Sequence, residues 1–154
     1  MSFDFSGKVA VVTGAGGGIG RAVSLALARS GAKVLAVDLS PQSGRQTEQL
    51  VLQAGGAAKF VVADVSRAED VARYVAAAVD AWGQIDIFMN NAAWQGSIAA
   101  LVDYPDDVFD KVMAVNVRGV YLGLKHVLPV MIARRSGAVV NTASLGAYVG
   151  TRNL

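Results

Sequence analysis

A cluster of glycines at the end of an apolar run contains the first residues that could do chemistry. The run from Val9 to Thr13 has no polar alternation, which is typical of a strand covered on both faces of a parallel sheet. Gly14, Gly18 and Gly20 follow, and glycines allow a sharp turn with no Cβ between backbone and ligand. A helical pattern opens at Gly18, and free N–H groups at a helix N-terminus suit a phosphate or pyrophosphate. The stretch therefore predicts a nucleotide-phosphate site, with a tight packing turn as the alternative.

The spacing of these glycines excludes two common phosphate motifs. The Gly-x-Gly-x-x-Gly pattern requires glycine where Ile19 or Arg21 stands. The P-loop pattern requires lysine and then serine or threonine, where this chain has Arg21 and Ala22. The pattern that remains is Thr13-Gly14-x-x-x-Gly18-x-Gly20.

Carboxylates end the next two predicted strands, at Asp38 and Asp64. Asp38 lies 18 residues past Gly20, where a carboxylate can accept hydrogen bonds from both ribose hydroxyls of an adenosine. A carboxylate there would also repel a 2′-phosphate, and Ala15, Gly16 and Gly17 carry no positive charge that could bind one. We therefore predict NAD rather than NADP as the cofactor, with a solvated strand-end aspartate as the alternative.

Strands and helices alternate along the chain, which predicts an α/β fold of the Rossmann type. Right-handed crossovers and one reversal give a doubly wound parallel sheet in the order 3-2-1-4-5, with ligands bound beyond the carboxyl ends of its strands. We expect residues 1–154 to form a single domain, with a sheet that is incomplete on its C-terminal side. The predicted strands are Val9 to Thr13, Lys33 to Asp38, Ala57 to Ala63, Ile85 to Met89 and Ala138 to Thr142.

Two helix N-termini are predicted from their capping residues. Ser40 followed by Pro41 matches an N-cap with proline at the first helical position. Ser66 with Glu69 three residues later matches a capping box, in which serine is the N-cap.

A long helix is predicted from Asp106 to Arg135. Val117, Val127 and Met131 lie outside its predicted core-facing stripe, so we also expect this helix to offer an apolar surface to a partner. The stripe consists of Phe109, Val112, Met113, Asn116, Val120, Tyr121, Leu124 and Leu128.

Composition excludes several classes of protein. The net charge is +2 with scattered basic residues, which does not favour nucleic-acid binding. The chain has no cysteine, so we predict no disulfide framework, no thiolate zinc site and no thiol nucleophile, and no metal site is expected. The N-terminus lacks a signal-peptide pattern and no apolar run is long enough to span a bilayer, so a cytoplasmic protein without a membrane partner is expected.

Five motifs in this order resemble those of the short-chain dehydrogenase/reductase family. They are the glycine loop, Asp64-Val65, Asn90-Asn91-Ala92-Ala93, Asn116 and Ser144, and Ala93 stands where the family has glycine. The resemblance implies an oxidoreductase that passes a hydride between nicotinamide and a secondary alcohol or ketone. It also implies a homodimer or homotetramer formed through the long helix.

The resemblance assigns roles to individual residues. Asp64 and Val65 touch the adenine ring, Asn116 anchors a water of the proton relay, and Ser144 donates a hydrogen bond to the developing alkoxide. Asn116 and Ser144 are therefore the predicted catalytic residues. The predicted cofactor-binding residues are Gly14, Gly18, Ile19, Gly20, Asp38, Leu39, Asp64, Val65, Asn91, Ala92 and Ala93.

The resemblance further implies a Tyr-x-x-x-Lys pair about a dozen residues past Ser144. The four-residue spacing within this pair places the tyrosine, which is the acid/base, and the lysine on one face of a helix. This position lies beyond Leu154. Tyr148 and Arg152 have the spacing, but arginine replaces lysine and Tyr148 is close to Ser144, so a loop is predicted there. We expect these 154 residues to lack the acid/base pair and to be inactive on their own.

Two other functions remain open at this point. The missing pair favours a non-catalytic nucleotide-binding module. An adenosylmethionine-dependent methyltransferase would also use a glycine loop and a strand-end carboxylate, although the motifs around Asn90 and Ser144 speak against it.

Overall fold

Five parallel strands form a single sheet in the computed structural model, which describes residues 3–147. Numbered along the chain, the strands lie in the order 3-2-1-4-5, so the predicted Rossmann-type sheet and its order are confirmed. The strands are β1 (Val9–Thr13), β2 (Lys33–Asp38), β3 (Ala57–Val62), β4 (Ile87–Asn90) and β5 (Ala138–Asn141).

Helices connect the strands and cover both faces of the sheet. The long predicted helix is α4 (Asp106–Met113), a π-helical turn over Ala114–Arg118 and α5 (Gly119–Arg134) in direct succession, since Ala114 and Gly119 keep right-handed helical backbone angles. Among residues 3–147, none of the helices is both long and apolar enough to cross a membrane. The α-helices are α1 (Gly18–Arg29), α2 (Pro41–Gln53), α3 (Ala68–Trp82), α4 (Asp106–Met113) and α5 (Gly119–Arg134).

The two central strands are buried on both faces, as their continuous apolar runs predict. Val11 and Leu35 belong to the apolar cluster that includes residues of α3 and α5. Val12 and Val34 belong to a second cluster, on the side of α1 and α2. Because both clusters hold the same strands, the carboxyl ends of β1 and β2 are rigidly placed side by side.

The predicted core-facing stripe of the long helix is wrong in part. Tyr121 is 57% exposed and Leu128 is 38% exposed, whereas Val127 and Met131, expected on the partner surface, are fully or almost fully buried. The helix is apolar on nearly every side, so spacing alone could not choose its buried face. Phe109 and Met113 are likewise exposed rather than buried.

Two glycines mark the face of α5 that packs on the sheet. A Cβ on Gly123 would lie 2.7 Å from Cζ of Phe88, and a Cβ on Gly119 would lie 2.9 Å from Cγ2 of Val65. Any larger side chain at either position would push α5 away from the sheet. The helix therefore approaches β4 and the Val65 loop along a line of small residues.

The two capping predictions have different outcomes. Ser40 is the N-cap of α2, and its Oγ accepts a hydrogen bond from the Ser43 N–H at 3.3 Å, as predicted. The capping box at Ser66 is wrong, because α3 begins at Ala68 and its N-cap makes no side-chain hydrogen bond. The Ser66 hydroxyl donates to Asp64 Oδ1 at 2.6 Å instead. The serine thus shapes the loop before the helix, next to the predicted adenine site.

Candidate functional site

The glycine turn between β1 and α1 lies beside the end of β4. Gly14 has a φ of +64°, a left-handed conformation that favours glycine. A Cβ there would also lie 3.0 Å from Cα of Ala92, so the two chain segments approach closely. The Ala15 N–H donates to the Val37 carbonyl at 3.0 Å, which ties the turn to the end of β2. The turn is therefore held between the two neighbouring strands.

The glycines of this turn serve two different purposes. A Cβ on Gly20 would lie 2.1 Å from the Gly14 carbonyl oxygen, and one on Gly16 would lie 2.6 Å from Cβ of Ser43. Packing alone therefore requires glycine at both positions. Gly18 differs, because a Cβ there would meet no atom within 4 Å. The open space over Gly18, at the first residue of α1, fits a ligand phosphate bound by the N–H groups of the helix start.

Asp38 lies at the end of β2 and already holds the glycine turn. Its Oδ2 accepts the Gly16 N–H and its Oδ1 accepts the Ser40 N–H, both at 2.8 Å. An ionised carboxylate offers about four lone-pair positions, so two remain for ribose hydroxyls. The carboxylate therefore has the capacity to fix the turn and to bind a sugar.

Asn91 connects the ends of three strands. Its Nδ2 donates to the Thr13 carbonyl at 3.0 Å, and its Oδ1 accepts the Thr142 hydroxyl at 3.2 Å. The buried Thr13 hydroxyl accepts the N–H groups of Asn91 and Ala92 at 2.9 and 3.0 Å. Ala93 keeps a negative φ, since Arg135 is the only non-glycine residue with a positive φ in the described range 3–147. Alanine at that position therefore causes no backbone strain.

Asn116 lies in the middle of the π-turn and holds the backbone of Trp94. Its Nδ2 donates to the Trp94 carbonyl and its Oδ1 accepts the Trp94 N–H, both at 2.8 Å. Each amide atom retains one further hydrogen-bonding position, which a water could occupy. Lys111 Nζ lies 4.4 Å from the centre of the Trp94 ring, a cation–π contact. Neither Trp94 nor Lys111 was predicted from the sequence, because the two residues lie in a loop and on a helix with no motif.

Asp64 and Val65 form the loop after β3. Asp64 Oδ1 accepts the Ser66 N–H at 2.9 Å, and the Asp64 N–H donates to Asp70 Oδ2 at 2.8 Å. This backbone hydrogen bond, together with the Arg73 guanidinium, holds the pKa of the Asp70 carboxyl below its usual value. The loop that would face an adenine ring is therefore anchored from α3.

Two cavities meet at the glycine turn, and Gly14, Asp38 and Ala93 line both of them. The cavity of about 290 Å³ lies between the ends of β2 and β3 and the long helix. Its other lining residues are Leu39, Ala63, Asp64, Val65, Ala92, Trp94, Lys111 and Val115. The cavity of about 520 Å³ lies over the start of α1. Its other lining residues are Gly16, Gly17, Gly18, Ile19, Gly20, Ser43, Asn91 and Thr142.

Every predicted cofactor-binding residue lines at least one of these two cavities. Ile19 is 63% exposed at the rim of the larger cavity. Thr142, which the sequence analysis left out of the site, lines the larger cavity beside Asn91. The available signal for Thr142 was its place as a polar residue directly after the apolar strand β5.

The predicted catalytic residues are not brought into contact with each other. Ser144 lies past the end of β5 at the carboxyl edge of the sheet, where its Oγ accepts the Gly146 N–H at 3.1 Å. Neither Ser144 nor Asn116 lines the two cavities. Tyr148, predicted to lie in a loop, is outside the described residues.

A Tyr-x-x-x-Lys spacing does occur in the chain, at Tyr121 and Lys125, and the sequence analysis overlooked it. Lys125 Nζ lies 5.8 Å from the centre of the Tyr121 ring on α5. Tyr121 is more than half exposed and lines neither of the two cavities. This pair precedes Ser144 in the chain and does not have the position that the resemblance implies.

Comparison with known proteins identifies the family of this chain. Residues 8–154 match the model of the short chain dehydrogenase family, so the chain belongs to that family. Levodione reductase of Leifsonia aquatica is 41% identical over 151 residues, which is 97% of this chain and 57% of that protein. The chain thus spans little more than half the length of this curated relative.

Solved structures share the fold over almost the whole chain. NAD⁺-bound xylitol dehydrogenase superposes with a TM-score of 0.94 at 40% identity, covering 97% of this chain and 57% of that one. A metagenomic short-chain oxidoreductase in complex with NADP has a TM-score of 0.91 at 32% identity, covering 96% and 67%. These two relatives hold different cofactors.

Proposed function

We propose that this chain is the cofactor-binding part of an NAD-dependent oxidoreductase. The observation that carries this proposal is the pair of joined cavities, with Asp38 where they meet and open space over Gly18. Asp64, Val65 and Val115 would hold the adenine, Asp38 the ribose, and the start of α1 the pyrophosphate. The residues present therefore fit a dinucleotide.

NAD is the proposed cofactor, because the carboxylate of Asp38 would repel a 2′-phosphate. The nicotinamide ring would supply the hydride acceptor or donor for a secondary alcohol or ketone. In that reaction Ser144 would donate its Oγ–H to the oxygen of the reacting carbon, and Asn116 would hold a water of the proton relay. One solved relative holds NAD⁺ and another holds NADP, so the family alone does not decide between them. The preference of this chain for NAD over NADP therefore tests the proposed role of Asp38 directly.

Tryptophan fluorescence provides the binding test. The chain has two tryptophans, and Trp94 lines the smaller cavity whereas Trp82 packs against the core. In a Trp82→Phe background, we expect NAD to quench the emission of Trp94 and to bind more tightly than NADP. Asp38→Ala should reduce the difference between the affinities for NAD and NADP. A protein with wild-type Asp38 that prefers NADP would contradict the proposed role of this carboxylate.

Turnover of the full-length protein tests the catalytic part of the proposal. With a panel of secondary alcohols and NAD, Ser144→Ala should lower kcat by about 10²–10³-fold, the usual loss for one oxyanion donor. Tyr121→Phe is the matched control and should leave kcat unchanged, because Tyr121 lies away from both cavities. If instead Tyr121→Phe abolishes turnover, our placement of the active site is wrong.

We further propose that residues 1–154 alone bind the dinucleotide without turning over an alcohol. Ser144 and Asn116 are the predicted catalytic residues within this range, and neither can replace a phenol that gives and recovers a proton. Parallel assays of this chain and the full-length protein test the proposal. Alcohol oxidation by the 154-residue chain would contradict it and favour Tyr148 as the acid.

A homodimer or homotetramer through the long helix is also proposed. An exposed apolar row runs along the outer side of α4 and α5, and rows of this kind commonly contact a partner. The row differs from the residues first expected at the interface, since Val127 and Met131 are buried. It consists of Phe109, Met113, Val117, Tyr121, Leu128 and Ile132.

A further inference from the structure

Arg21 follows the last glycine of the turn, and its side chain reaches back across that turn. Its Nη2 donates to the Gly16 carbonyl at 2.9 Å and to the Ser43 carbonyl at 3.4 Å. Its Nε donates to Thr47 Oγ1 at 3.0 Å. The guanidinium therefore joins the glycine turn to two residues of α2, a geometry that the planar fork of arginine allows and lysine does not.

Thr47 extends this connection to the residue before Gly16. Its side chain is fully buried, and its hydroxyl donates to the Ala15 carbonyl at 2.8 Å. Because the hydroxyl accepts from Arg21 while it donates to Ala15, one short chain of hydrogen bonds joins the guanidinium to the turn. Two successive carbonyls of the turn, those of Ala15 and Gly16, are thus held from α2.

Gly16 lies between two side chains of opposite charge. Its N–H donates to Asp38 on one side, and its carbonyl accepts from Arg21 on the other. Arg21 takes part in none of the ion pairs found in the described part of the chain, so its donors serve neutral oxygens. The orientation of the Gly16 peptide units is therefore fixed from both sides, and of these two side chains Asp38 lines the cavity over Gly18 whereas Arg21 does not.

We propose that Arg21 is a positioning residue for the pyrophosphate of the dinucleotide. It acts through Gly16 and Thr47, and it holds the turn in the shape that leaves Gly18 open before any ligand arrives. A turn that is already ordered loses less conformational entropy on binding, which raises affinity without a new contact. This inference rests on the proposed dinucleotide site.

Calorimetric titration with NAD, ADP and adenosine tests this role in the full-length protein. Arg21→Gln should weaken NAD and ADP about tenfold, roughly the cost of ordering one further backbone residue of the turn on binding. Adenosine has no pyrophosphate, so its affinity should stay within about twofold. Arg29→Gln removes the same charge from the exposed last turn of α1 and should leave all three affinities unchanged.

Two further sets of variants distinguish positioning from other effects. Thr47→Val and Thr47→Ser test the hydrogen-bonded connection without changing any charge, and Arg21→Lys keeps the charge but not the planar fork. Thr47→Val should weaken ADP as Arg21→Gln does, whereas Thr47→Ser, which keeps the hydroxyl, should restore ADP binding. Arg21→Lys should stay weak, because one ammonium cannot bridge Gly16 and Thr47 as the fork does.

Three results would overturn the inference. They are full ADP affinity in Arg21→Gln, an equal loss for adenosine and ADP in that variant, and wild-type affinity in Arg21→Lys. A wild-type protein that binds neither ADP nor NAD would instead refute the proposed dinucleotide site itself.

Discussion

Alanine at Gly20 should lower the free energy of unfolding, whereas alanine at Gly18 should not, although the two glycines belong to one motif. At Gly20 the new Cβ would lie 2.1 Å from the Gly14 carbonyl oxygen and 2.9 Å from Cα of Ala15. Both neighbours are backbone atoms, and ordinary contact begins near 3.4 Å. The turn would therefore have to move by about 1 Å, and overpacking of this kind costs about 1–3 kcal/mol.

Helix propensity works in the other direction but is too small to win at Gly20. Replacing glycine by alanine in a compatible helical position stabilises a protein by about 0.4–1 kcal/mol. The net change for Gly20→Ala is therefore a loss of about 1–2 kcal/mol in the free energy of unfolding. At Gly18 no clash opposes the gain, so Gly18→Ala should be neutral or slightly more stable than the wild type.

Although Gly18→Ala should keep the stability of the wild type, it should lose affinity for the ligand. Its Cβ would occupy the open space where we place the pyrophosphate, so ADP should bind about tenfold more weakly or worse, as overpacking predicts. Urea unfolding gives the stabilities of both variants, and calorimetry gives the affinity of Gly18→Ala for ADP. A stable Gly18→Ala variant with unchanged ADP affinity would refute our placement of the phosphate over Gly18.

Three further predictions concern the helices around the site. Asn116→Ala should raise the KM for NAD and shift the Trp94 emission, because the Trp94 backbone loses two hydrogen bonds, and unchanged emission would contradict this. Because the pKa of Asp70 is lowered in the folded protein, the ionised carboxylate stabilises the fold at pH values above the usual carboxyl pKa. This contribution is lost as the pH falls through the lowered pKa of Asp70. Asp70→Asn should therefore flatten the acid limb of a urea-unfolding series, whereas Asp80→Asn, on the exposed side of the same helix, should not. Val117→Glu should dissociate the oligomer in analytical ultracentrifugation, whereas Leu52→Glu, half-exposed on α2, should leave it intact, and an intact Val117→Glu oligomer would refute the helix interface.

Local patterns were sufficient to predict the sheet and to predict that the candidate cofactor-binding residues lie together at its carboxyl edge. Continuous apolar runs identify β1 and β2 with their observed bounds, because both faces of these strands are buried. In a parallel sheet all carboxyl ends lie at one edge, so Asp38, Asp64 and Asn91 had to meet the glycine turn. The bounds of β4 were less accurate, since buried Ile85 precedes the ladder that begins at Ile87.

Contacts between distant segments could not be predicted in the same way. Asn116 and Trp94 are 22 residues apart, and the hydrogen bonds that join them involve the Trp94 backbone, which has no signature in the sequence. The buried face of α5 is set by the close approach of Gly123 to Phe88, but apolar residues surround the helix on most sides. Small residues four positions apart, Gly119 and Gly123, were the available signal.

The π-turn gives Asn116 a second connection, to the proposed cofactor site, besides its predicted catalytic role. Within this turn Val115 lines the smaller cavity, Asn116 holds Trp94 on its wall, and Arg118 Nη1 donates to the Ser66 carbonyl at 2.5 Å. Since Ser66 also binds Asp64, the turn reaches both sides of the proposed adenosine site. π-Turns are rare and occur frequently at functional sites. A change in this turn should therefore alter cofactor binding together with the chemical step, and kcat alone would not reveal the role of Asn116.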